Sequence, residues 1–413
     1  MAHRAVDQGA GHTGAAVAPG AAGAGPVRAL QFRRSVPKYA AAMVAGGVMP
    51  GFGARVGPLR LADLDEPDLP GPYWRRIRPR LAGICGSDLS TIDGKSSRYF
   101  EPIVSFPFVP GHEIVADSDS GRVVVEPVLN CIPRGIDPPC SFCASGLTGS
   151  CQNIALGSLE PGLQTGYCAD TGGGWSTAMV AHESQLHAVP DDMSDEAAVM
   201  VEPAACAVHA ARRPDLDQPA TVVVLGAGTV GLCTIAAVRS HLRPGTLIAS
   251  AKHPDQRKLA LELGADVVVE PGEVRRAVRR MSRSPMVGDG VGEGAEVVFD
   301  CVGTADSVDD ALAIVRPREQ VVLVGMPGRI SVDLTGLWHK EIRLVGAYAY
   351  GREKSGERTF DLAFELVAQA DLGRLVSATY SLDRYRDAID HAAHAGSRGA
   401  VKVVFDLRGE RNR

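Results

Sequence analysis

The sequence predicts an α/β protein of two domains, a doubly wound parallel sheet joined to a second, mostly β domain. Three observations carry this prediction. At 413 residues the chain exceeds what one ordinary hydrophobic core sustains, so it divides. From about Ala29 to Val180, short β-like runs are broken by Gly and Pro, as in an irregular, largely antiparallel β domain. Further on, apolar strands alternate with helix-length segments, the mark of βαβ units on a parallel sheet.

Taken in order, residues 1–28 are mostly Ala and Gly with polar interruptions. They lack the continuous apolar core of a secretory signal and carry too little apolar side chain to offset ordering entropy, so a disordered tail is expected. The β domain follows, with "ALQF", "YAAAMV", "GRVVVEPV" and "GGWSTAMVAHESQLHAVP" as its strand-bearing segments. "SDEAAVMVEPAACAVHAARR" has a helical pattern with Ser194 as N-cap. Next, "ATVVVLGAGTVGLCTIAAV" reads as strand, glycine turn and helix. "TLIAS" and "DVVVEP" are strands around the helix "PDQRKLALELG". "AEVVFDCVG" and "EQVVLVGMPG" are strands around the helix "ADSVDDALAIV". "EIRLVGAYAY" closes this region, and the rest returns to mixed helix and strand.

Composition excludes several classes. The hydrophobic fraction of 45% and charged fraction of 22% are those of a globular protein. A formal charge of −5 gives no electrostatic reason for a nucleic-acid partner. No apolar run reaches the roughly 18 residues of a membrane span. A cytoplasmic, reducing location is expected, and there a tight cysteine group points to metal rather than disulfides. Cys131, Cys140, Cys143 and Cys151 form such a group, four of the nine cysteines in one short loop.

Gly226, Gly228 and Gly231 stand in G-x-G-x-x-G spacing after a strand and at the opening of a helix that begins Thr229, Val230. Gly226 would make the tight turn, Gly228 would admit a pyrophosphate against the backbone, and Gly231 would let helix and strand pack closely. The helix N-terminus supplies free N–H groups to the phosphates. This is a Rossmann-type dinucleotide site. NAD-preferring sites place Asp or Glu at the end of the second strand; here that place is Ala251, between Ser250 and Lys252, with His253 following. A hydroxyl, a cation and a donor suit a 2′-phosphate, so NADP is expected over NAD.

The other chemistry-bearing residues are Cys85, Ser87 and Asp88 in "GICGSDL", His112 and Glu113 in "VPGHEIV", and Glu202 in "MVEPAACAVHA". With the glycine turn in this order, they resemble the zinc-dependent medium-chain dehydrogenases, the family of alcohol, sorbitol and threonine dehydrogenases. The resemblance covers essentially the whole chain from Ala29 to Leu407. It implies a GroES-like catalytic domain at 29–203 and 349–413, a dinucleotide-binding domain at 204–348, and a structural-zinc lobe at 131–151. It implies Cys85 and His112 as ligands of a catalytic zinc, with Glu113 ligating or beside it and Glu202 in the third-ligand region. Ser87 corresponds to the hydroxyl that relays the alcohol proton. The family often continues to a histidine that ends this relay; here that position is Ser90, so proton exit runs through Ser90, water or another group. Cys206 is read as a small packing residue of the helix.

In the family, the lobe often carries C-x2-C-x2-C-x7-C around zinc. Cys140, Cys143 and Cys151 match the last three positions, while the first falls on Asp137. Either Cys131 or Asp137 completes the set, with thiolate the better donor for a closed zinc site. The activity implied is hydride transfer between NAD(P) and an alcohol, polyol or carbonyl, a small-molecule substrate. A zinc-free quinone-reductase-like enzyme and a non-catalytic NAD(P)-binding scaffold are the alternatives. A homodimer or homotetramer is expected, because "EIRLVGAYAY" matches the part of the family where cofactor-domain sheets pair edge to edge.

Overall fold

The computed structural model describes residues 26–216, 220–288 and 290–410. For residues 1–25, the expected disordered tail lies outside the described residues. Its last two residues depart from that expectation. Val27 and Arg28 open β1 (Val27–Phe32), where Val27 is buried and Arg28 pairs with Asp383.

The link from β1 to its antiparallel partner β2 (Leu59–Leu64) carries α1 (Val36–Val48) and α2 (Gly53–Val56). The run "YAAAMV", expected as strand, lies inside α1. Alanine is the best helix former, and Ser35 with Pro37 marks a helix start just upstream, a signal stronger than the short apolar run. Gly46 lets α1 approach closely, since a Cβ there would fall 2.6 Å from Asp93 Cβ. The Asp93 carboxylate accepts from Gly51 N at 2.8 Å and Gly53 N at 3.0 Å.

β3 (Trp74–Gly83), α3 (Gly86–Ile92), β4 (Ile114–Ser118), β5 (Gly121–Val125), α4 (Ser141–Ala144), β6 (Met179–His182) and β7 (Leu186–Ala188) follow. The single helix expected from Ser194 onward is two, α5 (Asp195–Ala198) and α6 (Val201–Ala211). Pro203 has no N–H to donate and is tolerated only in a first turn, so a new helix must begin just before it. Ser194 caps α5, accepting from Ala197 N at 3.1 Å.

The second sheet is built from β8 (Thr221–Leu225), α7 (Thr229–Ala237), β9 (Thr246–Ser250), α8 (Pro254–Glu262), β10 (Val267–Val269) and α9 (Val274–Ser282). A small hairpin, β11 (Met286–Val287) with β12 (Gly290–Val291), then precedes β13 (Ala295–Asp300), α10 (Ala305–Ile314), β14 (Val315–Leu323), α11 (Thr335–His339) and β15 (Arg343–Gly346). Its six strands run parallel in the order β10-β9-β8-β13-β14-β15. Counting from β8 this is 3-2-1-4-5-6, whose order reverses between β8 and β13, where doubly wound sheets bind their ligands. Strands such as "TVVVL" are almost wholly buried, as helix cover on both faces requires.

α12 (Thr359–Gln369), β16 (Val376–Tyr380), α13 (Tyr385–Ala393) and β17 (Lys402–Asp406) complete the chain. β16 and β17 return to the first sheet, whose order is β16-β17-β3-β4-β5-β7, with β6 on another part of β3. The chain thus leaves the β domain, builds the parallel sheet and comes back, bringing Lys402 beside the start of α3.

Candidate active site

Cys85 is the N-cap of α3, and its N–H donates to Asp88 Oδ2 at 3.0 Å. This turn aims Cys85 and Ser87 inward from the first helix turn. His112 follows Gly111, whose φ of +97° suits glycine, and a Cβ there would meet the Trp175 ring at 2.5 Å. Trp175 Nε1 in turn donates to Gly83 O at 3.0 Å, fixing the loop against the end of β3. The backbone that carries His112 is therefore fixed by this packing.

The imidazole is buried between groups that stabilise its charge. His112 Nε2 lies 3.5 Å from Ser87 Oγ, and Asp88 Oδ1 is 3.6 Å from Nδ1, which has no hydrogen-bond partner. Burial alone would lower its pKa, but Asp88, Cys85 and Glu202 outweigh it and hold the ring well above its usual value. A carboxylate behind an imidazole that faces a thiol is the arrangement by which proteins orient a metal-binding histidine.

Glu202 sits in the first turn of α6 and is buried; its Oε1 accepts from Tyr350 Oη at 3.0 Å, with Cys206 Sγ at 3.7 Å. Burial pushes its carboxyl up to about 7, against the pull of His112 and with the repulsion of Glu113. Glu113 is not free to act as a donor. Lys402 Nζ donates to its Oε1 at 2.7 Å and Oε2 at 2.5 Å, and both side chains are buried. Cys85, His112 and Glu202 act on one another but stand further apart than a closed donor set. Among the described residues, only the lobe sulfurs bring three or more such donors within 4.8 Å of each other.

That sulfur set is Cys131, Cys140, Cys143 and Cys151; Asp137 is outside it. Cys140 caps α4, which carries Cys143 on its single turn. Cys131 Sγ accepts from Cys140 N and from Asn153 Nδ2, both at 3.3 Å, and Cys151 Sγ from Asn153 N at 3.4 Å. Such bonds favour thiolate. Burial raises the Cys140 thiol, but donation from Gln152 and Cys143 outweighs it and brings it down to about 6. Burial beside the other sulfurs pushes Cys143 far up and Cys151 up to about 11. Four thiols this close cannot all ionise unaided, and a dication removes that obstacle, so the donor set fits structural zinc. Arg134, missed by sequence reasoning, holds the lobe from within. It is fully buried and donates to Leu129 O, Leu156 O, Leu159 O and Gly162 O at 2.6–3.2 Å.

The glycine turn has the shape a dinucleotide requires. Gly226 has φ +90°, and a Cβ would strike Val302 Cγ2 at 2.5 Å; a Cβ on Gly231 would fall 2.0 Å from Gly226 O. Gly228, the N-cap of α7, faces open space, with nothing within 4 Å of a built Cβ. Val230 follows in the first turn, and Thr229 Oγ1 donates to Val401 O at 3.3 Å, tying the turn to the residue before Lys402. Gly226 N donates to Ser250 O at 3.0 Å, so the end of β9 lies beside the turn. Ser250 is buried there, Lys252 is exposed and His253 is the N-cap of α8. Tyr167 and Lys402 were also missed, the one in a loop without motif and the other far along the chain.

Two family models match this chain. The alcohol dehydrogenase GroES-like domain matches residues 71–191 and the zinc-binding dehydrogenase domain residues 229–369, together more than half of its length. Sorbitol dehydrogenase of Arabidopsis thaliana is 28% identical over 353 residues, 82% of this chain and 89% of that protein. L-idonate 5-dehydrogenase of Vitis vinifera is 29% identical over 358 residues, with the same coverage of 82% and 89%. Among solved structures, 2R,3R-butanediol dehydrogenase from Bacillus subtilis superposes with a TM-score of 0.66 at 21% identity, covering 92% of this chain and 99% of that one. No helix among the described residues is long and apolar enough to cross a membrane.

Proposed function

The chain belongs to the zinc-dependent medium-chain dehydrogenase/reductase family, and on that premise we propose an oxidoreductase that moves hydride between NAD(P) and an alcohol or polyol, or the matching carbonyl. The observation that carries the reading is that Cys85, His112 and Glu202, from three distant segments, come near enough to act on one another's charge, beside Lys402 and the Val401 carbonyl that ties the dinucleotide turn to it. Cys85, His112 and Glu202 would hold the catalytic zinc, which supplies Lewis acidity to the substrate oxygen. Lys402 keeps Glu113 engaged beside that set. Ser87 is placed to take the alcohol proton. Cys131, Cys140, Cys143 and Cys151 would hold a structural zinc.

The reading places the cofactor unit at 204–348 and the catalytic unit at 29–203 and 349–413, in the cytoplasm with thiols reduced. Gly226, Gly228, Thr229, Val230 and Gly231 would cradle the pyrophosphate. Ser250, Lys252 and His253 would receive a 2′-phosphate, which makes NADP the preferred dinucleotide. Cys85→Ala should abolish turnover while leaving dinucleotide binding nearly intact, because the cofactor sits on the other sheet. A variant that kept most of its activity would overturn the zinc site. A screen of alcohols, polyols and sugars with both dinucleotides then identifies the substrate. For Lys252→Ala, kcat/KM should fall for NADPH and change little for NADH; a wild type preferring NADH would reverse the cofactor assignment.

A further inference from the structure

The cysteine lobe is packed against the segment that brings a hydrogen-bond donor to Glu202. After β15 the chain returns to its first sheet through residues 347–352. This segment lies on the part of the lobe between Cys143 and Cys151. Arg352 N donates to Gly146 O at 2.9 Å. The Tyr350 carbonyl accepts from Gly149 N and from Thr148 Oγ1, both at 3.2 Å. The approach is close enough to need glycine at position 351, where a Cβ would fall 2.3 Å from Gly146 O.

The same segment is braced from its other side by the start of α12. Gly351 N donates to Thr359 Oγ1 at 3.1 Å, and Thr359 N donates to Gly351 O at 2.9 Å. The Tyr350 ring is buried edge-on against Phe360, with 4.8 Å between ring centroids. A tyrosine has two side-chain torsions, so a backbone fixed from two sides and a packed ring together hold its hydroxyl in place. There Tyr350 Oη donates to Glu202 Oε1 at 3.0 Å, a shorter contact than the 3.7 Å of the Cys206 thiol. A carboxylate that binds metal is oriented by such a bond from behind.

We propose that the lobe positions the catalytic carboxylate: Thr148 and Gly149 hold the Tyr350 carbonyl, and Tyr350 holds Glu202. Thr148 and Tyr350 are positioning residues in this account. Each link is a hydrogen bond between groups of fixed place, and Cys143 and Cys151 bound the stretch that makes the first of them. The inference rests on the catalytic-zinc reading above, in which Glu202 is a ligand.

The test loads the full chain with zinc and titrates it with a chromophoric chelator, which reads the metal equivalents. Cys85→Ala, keeping the lobe zinc alone, identifies the catalytic one. Tyr350→Phe should weaken that equivalent about tenfold or more, as loss of a bond behind a ligand does. Thr148→Val removes one hydrogen bond to the Tyr350 carbonyl and should weaken it about threefold to tenfold. Lobe zinc and dinucleotide affinity should stay those of wild type. The double variant should lose no more than Tyr350→Phe alone, because both changes act along one route. Thr148→Ser, which keeps the hydroxyl, should restore wild-type affinity. A catalytic zinc held as tightly in Thr148→Val as in wild type would overturn the positioning role. So would losses that multiply in the double variant, or a loss that Thr148→Ser does not repair. A wild type that holds zinc in the lobe alone would instead overturn the catalytic-zinc reading, and the inference with it. Two tightly held zinc ions without oxidation of any alcohol would overturn the dehydrogenase reading and leave the positioning role standing.

Discussion

Lys402 and Glu113 are both almost completely buried and bonded to each other through two short contacts. Burial would lower the lysine pKa, but Glu113 outweighs it and keeps the ammonium charged. A buried pair of this kind adds little over an apolar pair, but removing one member strands the other charge, at about 3–5 kcal/mol. Lys402→Met should therefore destabilise by about 3–5 kcal/mol in urea unfolding. Lys402→Met with Glu113→Gln should recover much of that loss. If the single variant unfolds at the wild-type midpoint, the pair is not what holds β17 against the start of β4. Neither residue could be matched to the other from sequence, since 289 positions separate them and neither lies in a paired motif.

At the scale of elements, two clusters carry predictions. The short helix α5 presents Asp195, which accepts from Arg80 of β3 at 2.8 Å, Arg122 of β5 at 3.1 Å and Arg408 at 3.2 Å. Glu196, Asp117 and Asp406 surround the same three arginines. Burial would raise the Asp195 pKa, but the arginines outweigh it and hold the carboxyl below its ordinary value. A depressed carboxylate stabilises the fold above the unfolded pKa of about 3.9, and that share is lost as pH falls through the lower folded value. Asp195→Asn should thus lower Tm at pH 7, and the gap to wild type should narrow steadily as pH falls below about 4. A constant gap across that range would refute the link. In the lobe, Cys143→Ser should release one zinc per chain and lower Tm, with less effect on the chemistry. Cys131→Ser should do the same and Asp137→Ala should not. Metal analysis of the three variants checks all of this.

For the whole molecule, β15 ends the parallel sheet with one side unpaired among the described residues, and Leu344 on it is exposed. Trp338 and Tyr348 flank it, with exposures of 78% and 52%. An open apolar strand edge invites pairing with another chain. We expect a homodimer or homotetramer formed through this edge, and Leu344→Lys should shift it toward monomer in light scattering. A wild type that is strictly monomeric at micromolar concentration would count against the assignment.

Local pattern was enough wherever chemistry depends on residues close in sequence. The parallel sheet followed from strand–helix alternation, and the glycine turn from a spacing that backbone sterics demand. Cys140, Cys143 and Cys151 were legible because one short loop carries them. Ser35 and Pro37 also announced α1, but the short apolar run after them invites a strand reading, because a few residues do not separate a period of 2 from one of 3.6. What only the tertiary structure decided depends on residues that topology alone brings together. Cys131 rather than Asp137 joins the sulfurs because the intervening loop turns back on Cys131, whose carbonyl accepts from Ile136 N at 3.0 Å and whose sulfur accepts from Cys140 N at 3.3 Å. Lys402 meets Glu113 because the chain returns to its first sheet after building the second. Tyr167 reaches Asp88 and Thr91 from a loop whose sequence carries no motif, since a hydroxyl needs a neighbour within about 3 Å, and that nearness is a property of the fold.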